Sequence, residues 1–222
     1  MGRFRVAIII PAFNESNSIY SVVKSVSKYG KAIVVDDGSS DNTSEIASNA
    51  GALVLKLPVN EGYDQALSLG FNEANRLHFN GCITFDADGQ HLHEDIPKFI
   101  HLLKKGTDVI VGERNFKSRY SERLFSSYTN YFFKIKDPFS GMKGYSMKLY
   151  KSLGYFSKYN SLGTELLFYG VINDFLFDHI PIKIKQRKDK PRLGNIFSAN
   201  LKIYWAMIQH IRVLLKKRQL CA

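Results

Sequence analysis

Apolar residues along this chain fall into two alternating rhythms. Val6-Ala-Ile-Ile-Ile10 is an unbroken run rich in β-branched residues, the pattern of a strand buried on both faces, and it stops at Pro11. Ile19, Val22, Val23 and Val26 then recur at helical spacing behind Asn14-Glu15-Ser16. Lys31–Val35 predicts a second strand, and the cap-rich Ser40–Thr43 opens a helix through Glu45, Ile46 and Ala47. The pattern continues with a strand over 52–57, a helix over 62–77, a strand over 82–85, a helix over 96–105 and a strand over 107–112.

Strands alternating with helices at this interval imply βαβ units and an α/β fold with a mainly parallel, Rossmann-like central sheet flanked by helices. Ligands of such sheets bind beyond the carboxyl ends of the strands. The polar clusters fall at those ends: Asn14-Glu15, Asp36-Asp37, Asp86-Ala87-Asp88 and Arg114. Four segments distant in sequence are thereby expected on one rim. Beyond residue 115 the rhythm loosens. Residues 115–122 read as a polar, basic surface loop, 137–141 as turn chemistry, 161–177 as a helix, 179–185 as a half-buried strand and 188–192 as another loop. No internal repeat or second folded domain is legible.

Length and composition fit this picture. A chain of 222 residues, 45% hydrophobic and 23% charged, can bury one continuous core. Two cysteines, Cys82 and Cys221, make no disulfide framework or metal spacing and point to a reducing, cytoplasmic compartment. No signal peptide is expected, because the apolar run after Arg3 and Arg5 has only strand length. No stretch reaches the roughly 18 apolar residues of a membrane span. The net charge of +11 is uneven: residues 1–110 hold 10 Lys/Arg against 13 Asp/Glu, and residues 111–222 hold 21 against 7. A basic half suits phosphates, acidic lipid or nucleic acid. Its aromatics follow apolar patterns rather than a stacking platform, so nucleic acid is not expected.

Asp86-Ala-Asp-Gly-Gln90 carries the chemistry. Two carboxylates one residue apart at a strand exit, then a glycine and an amide oxygen, offer hard oxygen ligands at Asp86, Asp88 and Gln90 for Mg2+ or Mn2+. A cation there would stabilise the charge on a departing diphosphate. The alternative is a surface turn capping the next helix. Asp36-Asp37-Gly38-Ser39 could bind the base or ribose of a nucleotide, or cap a helix as Asp41 or Ser40 could. His91 and His93 invite zinc, yet no cysteine or third histidine completes a set; the reading is loop contacts, with His91 near the phosphates. The absence of a glycine-rich nucleotide fingerprint or P-loop disfavours dinucleotide and P-loop functions. A sugar-nucleotide pyrophosphorylase should carry a glycine-rich loop with arginine after the first strand, where this chain has Pro11-Ala-Phe-Asn14.

Pro11-Ala-Phe-Asn-Glu15, Val35–Thr43, Asp86–His91, Gly112-Glu-Arg114 and Asp137-Pro-Phe-Ser-Gly141 together resemble family 2 glycosyltransferases of the GT-A fold, in the dolichyl/polyprenyl-phosphate mannosyltransferase-like branch. The resemblance spans roughly residues 5–190. It implies that Pro11, Phe13, Glu15, Val35 and Asp37 contact the nucleoside and that Asp86, Ala87 and Asp88 hold ribose and metal. Asp88 and Gln90 are implied as direct ligands, Arg114 as a contact of the donor sugar or phosphates, and Arg187 as part of a closing segment. Arg123 is implied near a lipid phosphate, Ser140 and Gly141 on the acceptor side, and Glu165 as an acid beside the site. The implied activity is hexosyl transfer with inversion, from a GDP- or UDP-linked sugar to a polyprenyl or dolichyl phosphate at the cytoplasmic membrane face. A glycan hydroxyl is the alternative acceptor, with Glu165 as base; a nucleic-acid-binding or non-catalytic sugar-nucleotide-binding protein is more distant. Asn60–Asp64 lacks the basic residue many relatives carry, and 186–194 matches the closing loop loosely.

Phe197, Leu201, Tyr204, Ile208, Ile211 and Leu215 form one stripe of a helix about 20 residues long. The division is therefore a catalytic domain over 1–194 and a basic amphipathic segment over 195–222. That segment suits a membrane interface, the protein's own core or a partner helix, and the first gives a peripheral position at the inner face of the membrane.

Overall fold

The computed structural model describes residues 4–115, 120–158 and 161–185. Seven strands form one sheet in the order β3-β2-β1-β4-β6-β5-β7. They are β1 (Val6–Ala12), β2 (Lys31–Asp36), β3 (Leu53–Lys56), β4 (Gly81–Thr84), β5 (Val109–Arg114), β6 (Lys143–Ser146) and β7 (Phe177–Ile182). All pairings are parallel except those of β6, which runs antiparallel between β4 and β5.

Period-two alternation explains why β1 is apolar throughout. Ala7 and Ile9 enter one core cluster, whereas Val6, Ile8 and Ile10 enter the other, so both faces are buried. Helices α1 (Ile19–Val26), α2 (Thr43–Asn49) and α4 (Ile96–Lys104) lie on the second cluster's side, contributing Val23, Ala47 and Phe99. Helix α3 (Tyr63–Arg76), with α5 (Tyr120–Phe133), α6 (Met147–Leu153) and α7 (Glu165–Ile172), contributes Phe71, Phe125, Leu149 and Phe168 to the first. The result is a three-layer α/β arrangement.

The second half departs from the sequence expectation. The polar stretch expected as a loop over 115–122 enters α5 at Tyr120, and neither β6 nor α6 was anticipated. The sequence Lys-Gly-Tyr-Ser is a poor strand signal, yet Lys143, Gly144 and Tyr145 are buried because β4 and β5 flank them. Helix α7 is shorter than the expected 161–177, and β7 begins two residues earlier and ends at Ile182. Among the described residues no helix is long and apolar enough to cross a membrane. Arg187 and the stripe from Phe197 to Leu215 lie outside the described residues.

Candidate active site

Parallel strands bring their carboxyl ends to one rim. The backbone N–H of Asp37, after β2, donates to Ala12 O at 2.8 Å, tying the exits of β1 and β2 together. Gly38 has φ +73°, and a Cβ there would lie 2.5 Å from Val59 C, so the turn needs glycine. Asp36 accepts from Ser39 N at 2.8 Å and from the Ser44 hydroxyl. Asn14 Oδ1 accepts from Ser40 N at 2.9 Å, and Glu15 N donates to Thr43 Oγ1 at 2.8 Å. Glu15 is buried and accepts from Ser18 Oγ, whereas Phe13 is exposed and Pro11 half-buried. Val35 is fully buried opposite Pro11 in the sheet register and supports the rim from within the core.

The Asp37 carboxylate accepts from Glu61 N at 2.7 Å and Gly62 N at 2.9 Å. It therefore holds the turn into α3. The next residue, Tyr63, has its hydroxyl pKa pushed up by burial and then by Asp86 and Asp64, so these groups are electrostatic neighbours. Asp37 follows β2 and Asp86 follows β4, the two strands that flank β1 in parallel, so both carboxylates belong to one rim.

Asp86 lies two residues past β4, with its side chain 33% exposed, so its carboxylate meets solvent. His91 Nε2 is 3.1 Å from Asp86 Oδ2, while His91 itself is buried and its Nδ1 has no hydrogen-bond partner among the described residues. Burial opposes ionisation of Asp86, but the His91 hydrogen bond and charge, with Arg114 and Lys143, outweigh it and hold the pKa below the usual carboxylate value. Ala87 is buried. Asp88 is half-buried and its Oδ1 accepts from Gln90 N at 3.0 Å across Gly89, φ +73°. Gln90 Nε2 donates to Lys185 O at 3.2 Å and Lys185 N donates to Gln90 O at 2.9 Å, stitching this loop to the chain after β7.

Arg114, at the end of β5, is held by Asp137 through Nε at 2.8 Å, Nη2 at 2.9 Å and the backbone N–H at 3.1 Å. Its Nη2 is also 3.5 Å from Glu122 Oε2 on α5. Burial would favour loss of its charge, but Asp137 and then Glu122 and Asp86 raise its pKa further above the ordinary arginine value. Lys143 on β6 is 3% exposed and donates from Nζ to Gly163 O at 3.2 Å. Asp64 binds the same loop, accepting from Leu162 N at 2.8 Å and Gly163 N at 2.6 Å, and burial raises its pKa.

Burial lowers the Lys143 pKa to about 8, against the opposing pull of Asp137 and Asp86. The unfolded chain binds its proton up to about 10.5, so the cost of burying the charged amine is felt in full below pH 8 and fades as pH rises between those values. Wild-type unfolding free energy minus that of Lys143→Met should increase across this window. Urea titrations on both sides of pH 8 measure it, and a flat difference would show the amine unperturbed.

The remaining sequence candidates are placed as follows. Glu165 opens α7, and its Oε2 accepts from Lys158 N at 2.8 Å and Ser157 Oγ at 3.4 Å. Arg123 is exposed on α5. Ser140, 1% exposed, closes its turn through Asp137 O and Met142. Gly141 packs against Asp86, with its carbonyl accepting from Thr84 Oγ1 at 2.7 Å. Sequence reasoning assigned no role to Tyr63, Asp64, Glu122 or Lys143. Asp64 in a helix first turn reads as an ordinary cap, and Lys143 gave no signal without β6. Among the described residues no group of three or more His, Cys, Asp or Glu side chains converges on a metal position.

Such a sheet with one antiparallel insertion and an acidic rim defines the GT-A class of glycosyltransferase folds. The chain superposes on a glucosyl-3-phosphoglycerate synthase from Mycobacterium tuberculosis, crystallised with Mn2+ and UDP-glucose, with TM-score 0.75 and 20% identity over 93% of this chain and 78% of that one. Another structure of that enzyme, with phosphoglyceric acid, gives 0.72 and 18% over 93% and 79%. At such identity the likeness speaks for the fold. The family model for glycosyl transferase family 2 matches residues 7–180, and the chain belongs to that family.

Among curated relatives, an undecaprenyl-phosphate 4-deoxy-4-formamido-L-arabinose transferase of Yersinia pestis is 33% identical over 119 residues, 48% of this chain and 36% of its own. A UDP-N-acetylglucosamine–dolichyl-phosphate N-acetylglucosaminyltransferase of Methanococcus voltae is 33% identical over 129 residues, 49% of this chain and 51% of its own. An uncharacterised protein of Methanocaldococcus jannaschii is 40% identical over 112 residues, 49% and 46%. The chain therefore spans about half or less of the length of these relatives.

Proposed function

We propose that the protein is a divalent-metal-dependent transferase moving a sugar, with inversion, from a nucleoside diphosphate sugar to a polyprenyl phosphate. The observation that carries this reading is the Asp86/Asp88 pair at the exit of β4, with Asp86 braced by His91 and standing on the same rim as Asp37 because β2 and β4 flank β1 in parallel. Two carboxylates and an amide fit Mg2+ or Mn2+, which keep several waters and are completed by substrate phosphates rather than by a full protein cage. Asp86, Asp88 and Gln90 would hold the cation, which supplies charge stabilisation for the leaving diphosphate when bound. The Mn2+ in the solved glucosyl-3-phosphoglycerate synthase supports that donor chemistry.

The rim loops that Asp37, Asn14 and Glu15 knit together would cradle the nucleoside, with Phe13 exposed for ring contact. Arg114, charged and fixed by Asp137, places positive potential beside Asp86 where phosphates would lie. A lipid phosphate acceptor is already anionic and needs no general base. The names of the Yersinia and Methanococcus relatives support such an acceptor.

Thermal shift with UDP- and GDP-sugars, with and without Mn2+, tests the donor half. Metal-dependent stabilisation by one donor, lost in Asp88→Ala, is the expected outcome; stabilisation that ignores both metal and mutation would defeat the reading. Glu165→Gln tests the acceptor. Its carboxylate binds the 157–158 turn, so transfer to polyprenyl phosphate should change by less than about threefold, whereas a hydroxyl acceptor relying on that base would lose 10²-fold or more, roughly. Initial rates on the two acceptor types decide between them.

A further inference from the structure

The first turn of α3 and the loop before α7 meet at a buried clamp. The Asp64 carboxylate accepts from Leu162 N and Gly163 N, and the Lys143 side chain donates to Gly163 O. A buried anion and a buried cation thus hold both sides of one peptide turn. Leu162 at φ +56° and Gly163 at φ +70° are left-handed in succession, a conformation that a leucine keeps only where its surroundings impose it. Buried charges are a poor source of stability, so their use on one strained turn points to a geometric task.

The turn is set against Tyr63. A Cβ at Gly163 would lie 3.1 Å from Tyr63 Cε1, so the bare glycine lets the turn close on the hydroxyl end of that ring. Tyr63 follows Gly62, whose N–H Asp37 holds, and Lys143 stands opposite Thr84, two residues before Asp86. The ring therefore lies on the side of the rim where β4 ends and β6 begins. Its hydroxyl hydrogen-bonds to none of the described residues, and burial, with the charges of Asp86 and Asp64, keeps it protonated well past neutral pH. A half-buried tyrosine with its hydroxyl unpaired has an O–H to give to a ligand. Near two carboxylates, a neutral phenol suits a neutral hydroxyl, whereas the charge of a diphosphate falls to the cation and Arg114.

Resting on the nucleoside diphosphate sugar reading of the site, we propose that Tyr63 donates a hydrogen bond to the sugar being transferred and so helps to select it. Asp64 and Lys143 are then positioning residues, which hold the ring in place through the 162–163 turn.

The test is calorimetric titration of the full chain, with Mn2+, by UDP, GDP, UDP-glucose, UDP-N-acetylglucosamine and GDP-mannose. Tyr63→Phe is expected to weaken the sugar nucleotide that the wild type binds most tightly by about three- to tenfold, while the bare diphosphate of the same base binds as before. Its melting temperature should stay at the wild-type value, because the hydroxyl bonds to none of the described residues. Asp64→Asn should show the same split between sugar nucleotide and diphosphate, and the double variant should lose no more than Tyr63→Phe alone. Equal weakening of diphosphate and sugar nucleotide overturns the proposal, since it gives the hydroxyl to the nucleoside or the phosphates. Unchanged binding of both in Tyr63→Phe overturns it too. Losses that add in the double variant overturn the positioning role of Asp64. A wild type that binds neither diphosphate sinks the donor reading itself, and the role of Tyr63 with it.

Discussion

Gly141→Ala should lower sugar transfer by about a hundredfold while leaving the chain folded. A Cβ at this position would lie 1.9 Å from Asp86 Oδ2 and 2.4 Å from its Cγ, far inside any tolerated contact. Residue 141 cannot retreat, because its carbonyl accepts from Thr84 Oγ1 and the adjoining β6 is paired with β4 on one side and β5 on the other. The carboxylate must therefore swing away, giving up its place against His91 Nε2. An overpacked side chain of this size costs roughly 1–3 kcal/mol, which a domain of this length survives. Initial rates at saturating Mn2+, beside a melting curve, separate the two effects. A variant with a normal rate would show that transfer is indifferent to where Asp86 points.

Asp137→Ala is expected to be the most damaging change to stability. Asp137 is 1% exposed and accepts three hydrogen bonds from Arg114, while also facing Lys143. Removing one partner of a buried pair leaves an uncompensated charge and typically costs about 3–5 kcal/mol. For a chain of this size that is a fall in melting temperature of roughly 6–20 °C. Glu122, at 3.5 Å from Nη2, can compensate only in part. Asp137→Asn keeps the shape and one acceptor oxygen and should lose less. If Asp137→Ala melts with the wild type, water reaches this pair and the buried description of it is wrong.

The first half of the fold was legible because each element there is a long, clean pattern. Val6–Ile10 could only be a strand covered on both faces, and Ile19, Val22, Val23 and Val26 form the buried stripe of α1. The acidic motif was legible for a related reason: β4 stops at Thr84, and its exit carries Asp86-Ala-Asp88 to the rim. The second half was not legible in that way. Lys143-Gly-Tyr-Ser146 is a strand because β4 and β5 already stand on either side and supply its hydrogen-bond partners. Tyr120–Phe133 is apolar on two faces, so its period does not declare which one the core takes.

The sequence by itself determined the kind of sheet, the strand ends that carry the polar clusters, and the family, since each depends on residues close together in the chain. The tertiary structure alone decided the partnerships: Asp37 with the 61–62 amides, Asp64 and Lys143 on the 162–163 loop, Arg114 with Asp137, and Gly141 beneath Asp86. Those contacts join residues up to 99 positions apart, as between Asp64 and Gly163. A local pattern encodes how a segment buries its apolar face, whereas the pairing of buried charges depends on which segments the sheet order makes neighbours.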